Sequence, residues 1–220
     1  FGNTLGDYRR GVELNDELLD VLQQTCVEND IEWFCSVLDY TSYLAIKRFN
    51  PRLIKLPSTI SNHRTYMRAL AKEYTGTLVI STGYTDKSYE DYILETFPQN
   101  QIYLLHCVSA YPTPPEHCNA AVVQHYAKNL SKYDIIPGYS SHDEGSLASQ
   151  LAVAAGARML EKHVKLDNSN WIHFDNVAVN LRKGDFAKYV ADIRHAETIL
   201  GSSEKQVLSC EHHKYGHTIR

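Results

Sequence analysis

The sequence predicts an α/β fold built on a parallel β-sheet, and three observations predict it. Short apolar runs alternate six times with longer stretches of helical spacing. Most of the runs are apolar at successive residues, which marks strands buried on both faces. Each helical stretch also follows a strand, as expected of either an open doubly wound sheet or a (β/α)8 barrel, and length alone does not choose between the two.

In chain order, the strands are expected at residues 31–37, Leu53–Leu56, Thr77–Ser81, 102–107, 135–139 and 158–164. The first helix is expected over Asp16–Glu28, where Leu18, Leu22 and Cys26 recur at fourfold spacing behind an Asn15 cap. Further helices are expected over 62–73, 89–97, 120–130 and 146–155. The last, Asp185–Leu200, repeats Phe186, Tyr189, Val190, Ile193 and Leu200 along one stripe. No linker, low-complexity tract or charge block interrupts this pattern, so residues 1–220 read as a single domain.

Composition excludes several classes. Hydrophobic residues make up 43% and charged residues 22%, which are globular values, and no apolar run approaches the ~18 residues that span a bilayer. Lys+Arg 22 against Asp+Glu 26 leaves a net charge of -4 with dispersed basic residues, so no nucleic-acid footprint is expected. Five cysteines without CxxC spacing argue against a disulfide framework or zinc knuckle and for a reducing cytoplasm. The amino terminus has no signal-peptide pattern.

Ligands of α/β folds collect at the carboxyl ends of strands, and several strands here end in polar residues. LIKLPS places Lys55 inside an apolar strand with Ser58 beyond it, and LVIST ends in Ser81 and Thr82. A lysine there meets an anion, a salt-bridge partner, or solvent at the end of its stem. IYLLHC closes with His106 and Cys107, but neighbours in a strand point to opposite faces and make a poor base–nucleophile pair. The proline-rich loop after them stiffens the rim or merely stops the strand.

The last two strands carry most information. GYSSHDEG puts His142 at one strand end, and MLEKHVKLD projects Glu161 and His163 to one side of the next. Adjacent strands lie about 4.8 Å apart, so two such imidazoles can converge on one ion, leaving positions open for substrate oxygens or water. Manganese or magnesium suits so open a site better than structural zinc; separate core or surface histidines are the bland alternative.

Taken together, LLHCVSAYPTPPEHCN, GYSSHDEG, GARMLEKHVKLD, LIKLPS and LVISTGY resemble the sialic acid synthase family, in the family's order and over most of the chain. The resemblance implies a (β/α)8 barrel that condenses phosphoenolpyruvate with an N-acylmannosamine-type aldose, yielding a nine-carbon 2-keto sugar acid and phosphate. It assigns His142 and His163 to a divalent metal, manganese first and magnesium second. It assigns phosphoenolpyruvate contacts to Lys55, Ser58, Ser81, Asn119 and Ser140, with Tyr111 lining the site. Glu161 is expected to orient a ligand or water, and Asp175 to meet a sugar hydroxyl. The partners implied are the two substrates and, in the family, a second subunit; no nucleic acid or membrane is expected.

The chain departs from the family pattern in four ways. Ile60 stands where a glutamate normally contacts the sugar, and Ser141 where an aspartate normally precedes the metal histidine. The segment NSNWIHFDNVAV replaces the usual glycine-proline-aspartate-histidine stretch. The first recognisable strand matches the family's third, so about six of eight βα units are expected here, without the carboxy-terminal antifreeze-like domain. An open barrel exposes long edges, so the chain is expected to be a piece of a longer protein, or its gap to be filled by another segment. The competing readings are another phosphoenolpyruvate-dependent keto-sugar-acid synthase, with His212, His213 and Lys214 as a source of positive charge for a phosphorylated sugar, and a non-catalytic barrel remnant that only binds.

Overall fold

The structure is a computed structural model that describes residues 3–168 and 173–211. Two helices open it, α1 (Leu5–Val12) and α2 (Asp16–Glu28), the second capped as expected by Asn15 accepting from the Leu18 amide. Then follow α3 (Tyr40–Lys47), β1 (Leu53–Leu56), α4 (Arg64–Leu70), β2 (Thr77–Ser81), α5 (Lys87–Thr96) and β3 (Ile102–His106). The chain continues through α6 (Ala121–His125), which runs into a π-helical turn at Tyr126–Leu130, to β4 (Ile135–Ser141), α7 (Leu147–Ala154) and β5 (Met159–Lys162). A small parallel pair, β6 (Val164–Lys165) and β7 (Val179–Asn180), precedes α8 (Asp185–Leu200).

The five strands β1 to β5 form one parallel sheet in sequential order. Sequential parallel order requires a crossover after every strand, and α4 to α7 supply them. Strand alternation then sorts the apolar runs into two layers. Ile54, Leu56, Leu78, Ile80, Ile102 and Leu104 point outward and pack with Met67, Leu70, Tyr89 and Ile93 of the helices. Leu53, Val79 and Leu105 point inward and pack with Phe34, Tyr103 and Met159, forming a floor under the carboxyl ends of the strands.

Gly138 of β4 has no side chain because there is no room for one. A Cβ there would lie 2.2 Å from Leu105 Cδ2 and 2.9 Å from the Met159 carbonyl oxygen, so Leu105 fills the space instead. Gly138→Ala is expected to destabilise the fold by about 1–3 kcal/mol through overpacking, read as a lower urea midpoint with unchanged slope.

Two expectations need correction. Residues 31–37 do not form a strand: they meet β1 through one bridge, Ser36 to Lys55, with Val37 N donating to Lys55 O at 2.9 Å and Lys55 N to Cys35 O at 2.9 Å. Among the described residues nothing pairs with the other side of this segment, and Ile31 is 60% exposed, so its apolar run lacks the neighbours that would extend the ladder. The run over 158–164 is likewise interrupted at His163, between β5 and β6. The resulting sheet is a curled half-barrel. A groove of about 1260 Å³ separates β5 and α8 from Glu32 and Phe34 at the far side. No helix among the described residues is long and apolar enough to cross a membrane.

Candidate active site

Every inward position above the apolar floor is polar. Lys55 on β1, Ser81 on β2, Ser140 on β4 and Glu161 on β5 share the parity of Leu53, Val79, Gly138 and Met159 one layer below. Cys107, just past β3, follows the parity of Leu105 and also faces this layer, while His106 faces outward and bonds the Cys118 carbonyl at 3.0 Å. The adjacent histidine and cysteine are thus split between the two faces, as alternation predicts.

These side chains form a continuous chain of contacts. The Lys55 ammonium donates to Glu161 Oε2 in a close ion pair. Ser140 Oγ donates to Glu161 Oε1 at 2.7 Å and lies 3.4 Å from His142 Nε2. Burial pushes the Glu161 carboxyl up, but Lys55 and the Ser140 hydroxyl outweigh it and hold the group below the usual carboxylate range. Glu161 therefore sits ionised between a cation and a hydroxyl.

Above it stand the two histidines, 5.4 Å between ring centroids. His142 Nδ1 donates to the Val108 carbonyl at 2.7 Å, which leaves Nε2 unprotonated beside Ser140 Oγ. Tyr111, in the proline-rich loop, covers His142 at 4.2 Å, and Phe174 stacks on His163 at 4.5 Å with planes 12° apart. Burial lowers the pKa of both imidazoles; for His163 the neighbouring His142 adds to the effect, and the value falls to about 4. Both rings are neutral at pH 7, the form that ligates metals.

The sign of the pH dependence follows. The unfolded chain takes up protons on these residues near 6.5, whereas the folded chain takes them up only at lower pH, so stability falls as pH drops from about 6.5 towards 4. Above about pH 7.5 these two groups contribute no slope. Urea midpoints measured between pH 8 and 4 check this, and His163→Asn is expected to flatten the profile.

On the β2 side, Ser58 begins a short 3-10 turn over Ser58–Ile60; its hydroxyl accepts from the Gly83 amide at 2.9 Å and lies 3.3 Å from Cys107 Sγ. Gly83 permits that approach, since a Cβ there would lie 2.3 Å from Ser109 Oγ and 2.7 Å from Ser58 Oγ. Ser81 Oγ is buried and has no hydrogen-bond partner among the described residues. A buried hydroxyl left unsatisfied above an apolar floor is a donor awaiting an acceptor.

Of the residues singled out in the sequence, Lys55, Glu161, Ser140, His142, His163 and Tyr111 form one contiguous cluster, with Ser58 and Ser81 on its β1–β2 side. Asn119 is exposed, and its side-chain amide donates to the His117 carbonyl at 3.2 Å. Asp175 is buried next to Phe174, and its backbone carbonyl accepts from Lys165 at 2.5 Å. Ile60 is 2% exposed and packs in the outer core, so its side chain does not line the site. His212, His213 and Lys214 lie outside the described residues. Sequence reasoning missed Phe174, although the WIHFDN motif had drawn attention to its neighbour Asp175.

The donor set fits an ion held by few protein ligands. No group of three His, Cys, Asp or Glu among the described residues could enclose one, so two neutral imidazoles would leave most positions to non-protein oxygens.

A family model described as the NeuB family matches residues 2–205. The N-acetylneuraminate-9-phosphate synthase of Mus musculus is 33% identical over 213 residues, which cover 96% of this chain and 58% of that protein. A pseudaminic acid synthase of Campylobacter jejuni subsp. jejuni is 35% identical over 162 residues, 72% of this chain and 46% of that one. The chain thus spans about half the length of the curated relatives it matches. Among solved structures, the N-acetylneuraminic acid synthetase of Leptospira borgpetersenii serovar Hardjo-bovis, in complex with citrate, superposes with a TM-score of 0.78 at 25% identity, covering 90% of this chain and 68% of that one.

Proposed function

Since the chain belongs to the NeuB family, we propose that its site condenses phosphoenolpyruvate with an N-acylmannosamine-type aldose, giving a nine-carbon 2-keto sugar acid and inorganic phosphate. One observation carries this reading: the unbroken run His142–Ser140–Glu161–Lys55 at the strand ends, with the unpartnered Ser81 hydroxyl in the same inward layer. A site of this make-up suits a small polyanion beside a cation. The names of the relatives, N-acetylneuraminate-9-phosphate synthase and pseudaminic acid synthase, support the product class.

In this reading Lys55 and the hydroxyls of Ser58, Ser81 and Ser140 hold the phosphate and carboxylate of phosphoenolpyruvate. Glu161 keeps the ammonium and the Ser140 hydroxyl aimed into the site and orients the attacking water. Tyr111 walls the site beside His142. His142 and His163 would hold a divalent ion, manganese first and magnesium second, which would supply Lewis-acid polarisation of the sugar aldehyde. The phosphoenolpyruvate methylene carbon bonds to the aldehyde carbon, and water adds to the enol carbon. The resulting hemiketal phosphate loses phosphate by carbon–oxygen cleavage. Asn119 is assigned to phosphoenolpyruvate and Asp175 to a sugar hydroxyl, as the family resemblance implies.

The test is phosphate release from phosphoenolpyruvate with manganese and a panel of aldoses, phosphorylated and not. Release that depends on an N-acylmannosamine supports the assignment, and release only with a different phosphorylated sugar moves it to another keto-sugar-acid synthase. The placement of Ile60 in the core, with no carboxylate offered to a sugar, favours a second reading: a barrel that binds metal and phosphoenolpyruvate without turnover. Manganese binding with no release for any acceptor would select it.

A further inference from the structure

On the outer face of the sheet, behind the two imidazoles, lies a second polar cluster that the proposed chemistry does not use. Lys162 stands between Glu161 and His163 and points away from the site by strand alternation. Its ammonium donates to Ser141 Oγ at 2.8 Å and to the Asp143 carbonyl at 2.5 Å. These acceptors flank His142 on either side. The Asp143 carboxylate is buried and accepts from Ser141 Oγ at 2.7 Å and from the Tyr139 hydroxyl at 3.2 Å, which folds the end of β4 onto its own strand. Tyr189 of α8 covers the cluster, with its ring centroid 5.8 Å from Lys162 Nζ and its hydroxyl donating to Ser149 of α7 at 2.7 Å.

Among the described residues this ammonium has no ion pair; it is held by a hydroxyl and a carbonyl. An apolar side chain of similar length would fill the same space but leave Ser141 Oγ and the Asp143 carbonyl without this donor. What the ammonium adds is direction. Ser141 and Lys162 are the last paired residues of β4 and β5, and each is followed at once by a histidine of the site.

We propose that Lys162 is a positioning residue that sets the spacing of His142 and His163 by clamping the ends of β4 and β5 together from the outer face. The functional consequence rests on the reading that the two imidazoles share an ion; the spacing itself does not.

The test compares the full chain with its Lys162→Met and Lys162→Arg variants by two readouts. These are the manganese dissociation constant, from the free-ion electron paramagnetic resonance signal, and the ring separation in metal-free crystals. Lys162→Met is expected to weaken manganese binding about 10- to 100-fold and to spread the rings beyond 5.4 Å, with at most a small fall in the urea midpoint. Lys162→Arg, which can donate to both acceptors, is expected to recover most of the affinity. Ser141→Ala, which removes one acceptor, is expected to show a smaller loss of the same kind. Lys162→Met binding within twofold of the parent with unchanged ring spacing would overturn the proposal. So would a loss of affinity that tracks a lower urea midpoint and is not rescued by arginine. If the parent chain binds no manganese, the shared-ion reading fails, and the ring spacing in Lys162→Met then decides the clamp alone.

Discussion

His142→Ala is expected to weaken manganese binding at least 100-fold and to lower phosphate release by three orders of magnitude or more, with little change in stability. In the proposed reading the imidazole is one of two ligands offered among the described residues, so its loss would leave a single histidine to hold the ion. Its ring nitrogen Nδ1 is already committed to the Val108 carbonyl, which fixes the ring so that Nε2 faces the site. The neighbouring contacts survive, because Ser140 still donates to Glu161 and Tyr111 still has His163 at 5.8 Å. Calorimetric titration with manganese separates the two claims. Retained affinity in His142→Ala would remove the shared-ion reading, and a collapse in melting temperature would reassign His142 to packing.

Lys55→Met has the second largest expected effect and acts on both stability and binding. The Lys55 side chain is 11% exposed and that of its partner Glu161 32%, so removing the ammonium strands a carboxylate in a poorly solvated place. Breaking a fully buried pair costs about 3–5 kcal/mol, and the partial exposure of Glu161 reduces that to about 2 kcal/mol here. On the proposed reading, phosphoenolpyruvate affinity is expected to fall at least 100-fold, since its anionic groups would lose the ammonium that Lys55 offers to the inward layer. Adding Glu161→Gln to Lys55→Met should recover most of the stability but none of the affinity. A double-mutant cycle in urea, with phosphoenolpyruvate binding read in parallel, distinguishes the two roles. Equal recovery of both would mean that Lys55 is structural only.

Strand parity explains why the cluster meets, although only the strand-end positions of Lys55, Ser81, His142, Glu161 and His163 were read from the residues themselves, and Ser140 and the roles came from the family resemblance. Lys55, Ser81, Ser140, Glu161 and His163 lie on short strands or just past them, where a period of two fixes which side chains share a face. The parallel ladder then brings residues far apart in sequence together, as with Ser140 and Glu161, which are register partners. Loop residues were less legible. Asn119 and Asp175 came from the family resemblance alone, because the backbone of a loop has no such period. Phe174 escaped notice for the same reason, although it stacks on His163. The α1 and α3 helices were also missed, despite capping residues Thr4 and Asp39 in plain sequence, because each is only eight residues long.

By itself the sequence determined the alternation of strands and helices, the parallel sheet and the polar character of its carboxyl end. These depend on local periodicity and on the chemistry of individual residues, both of which are written along the chain. Only the tertiary structure decided that 31–37 stays outside the ladder, that Ile60 turns into the core, and that Lys162 bridges the ends of β4 and β5. Each of these depends on which neighbour lies across a gap in space, and a one-dimensional pattern carries no record of that distance.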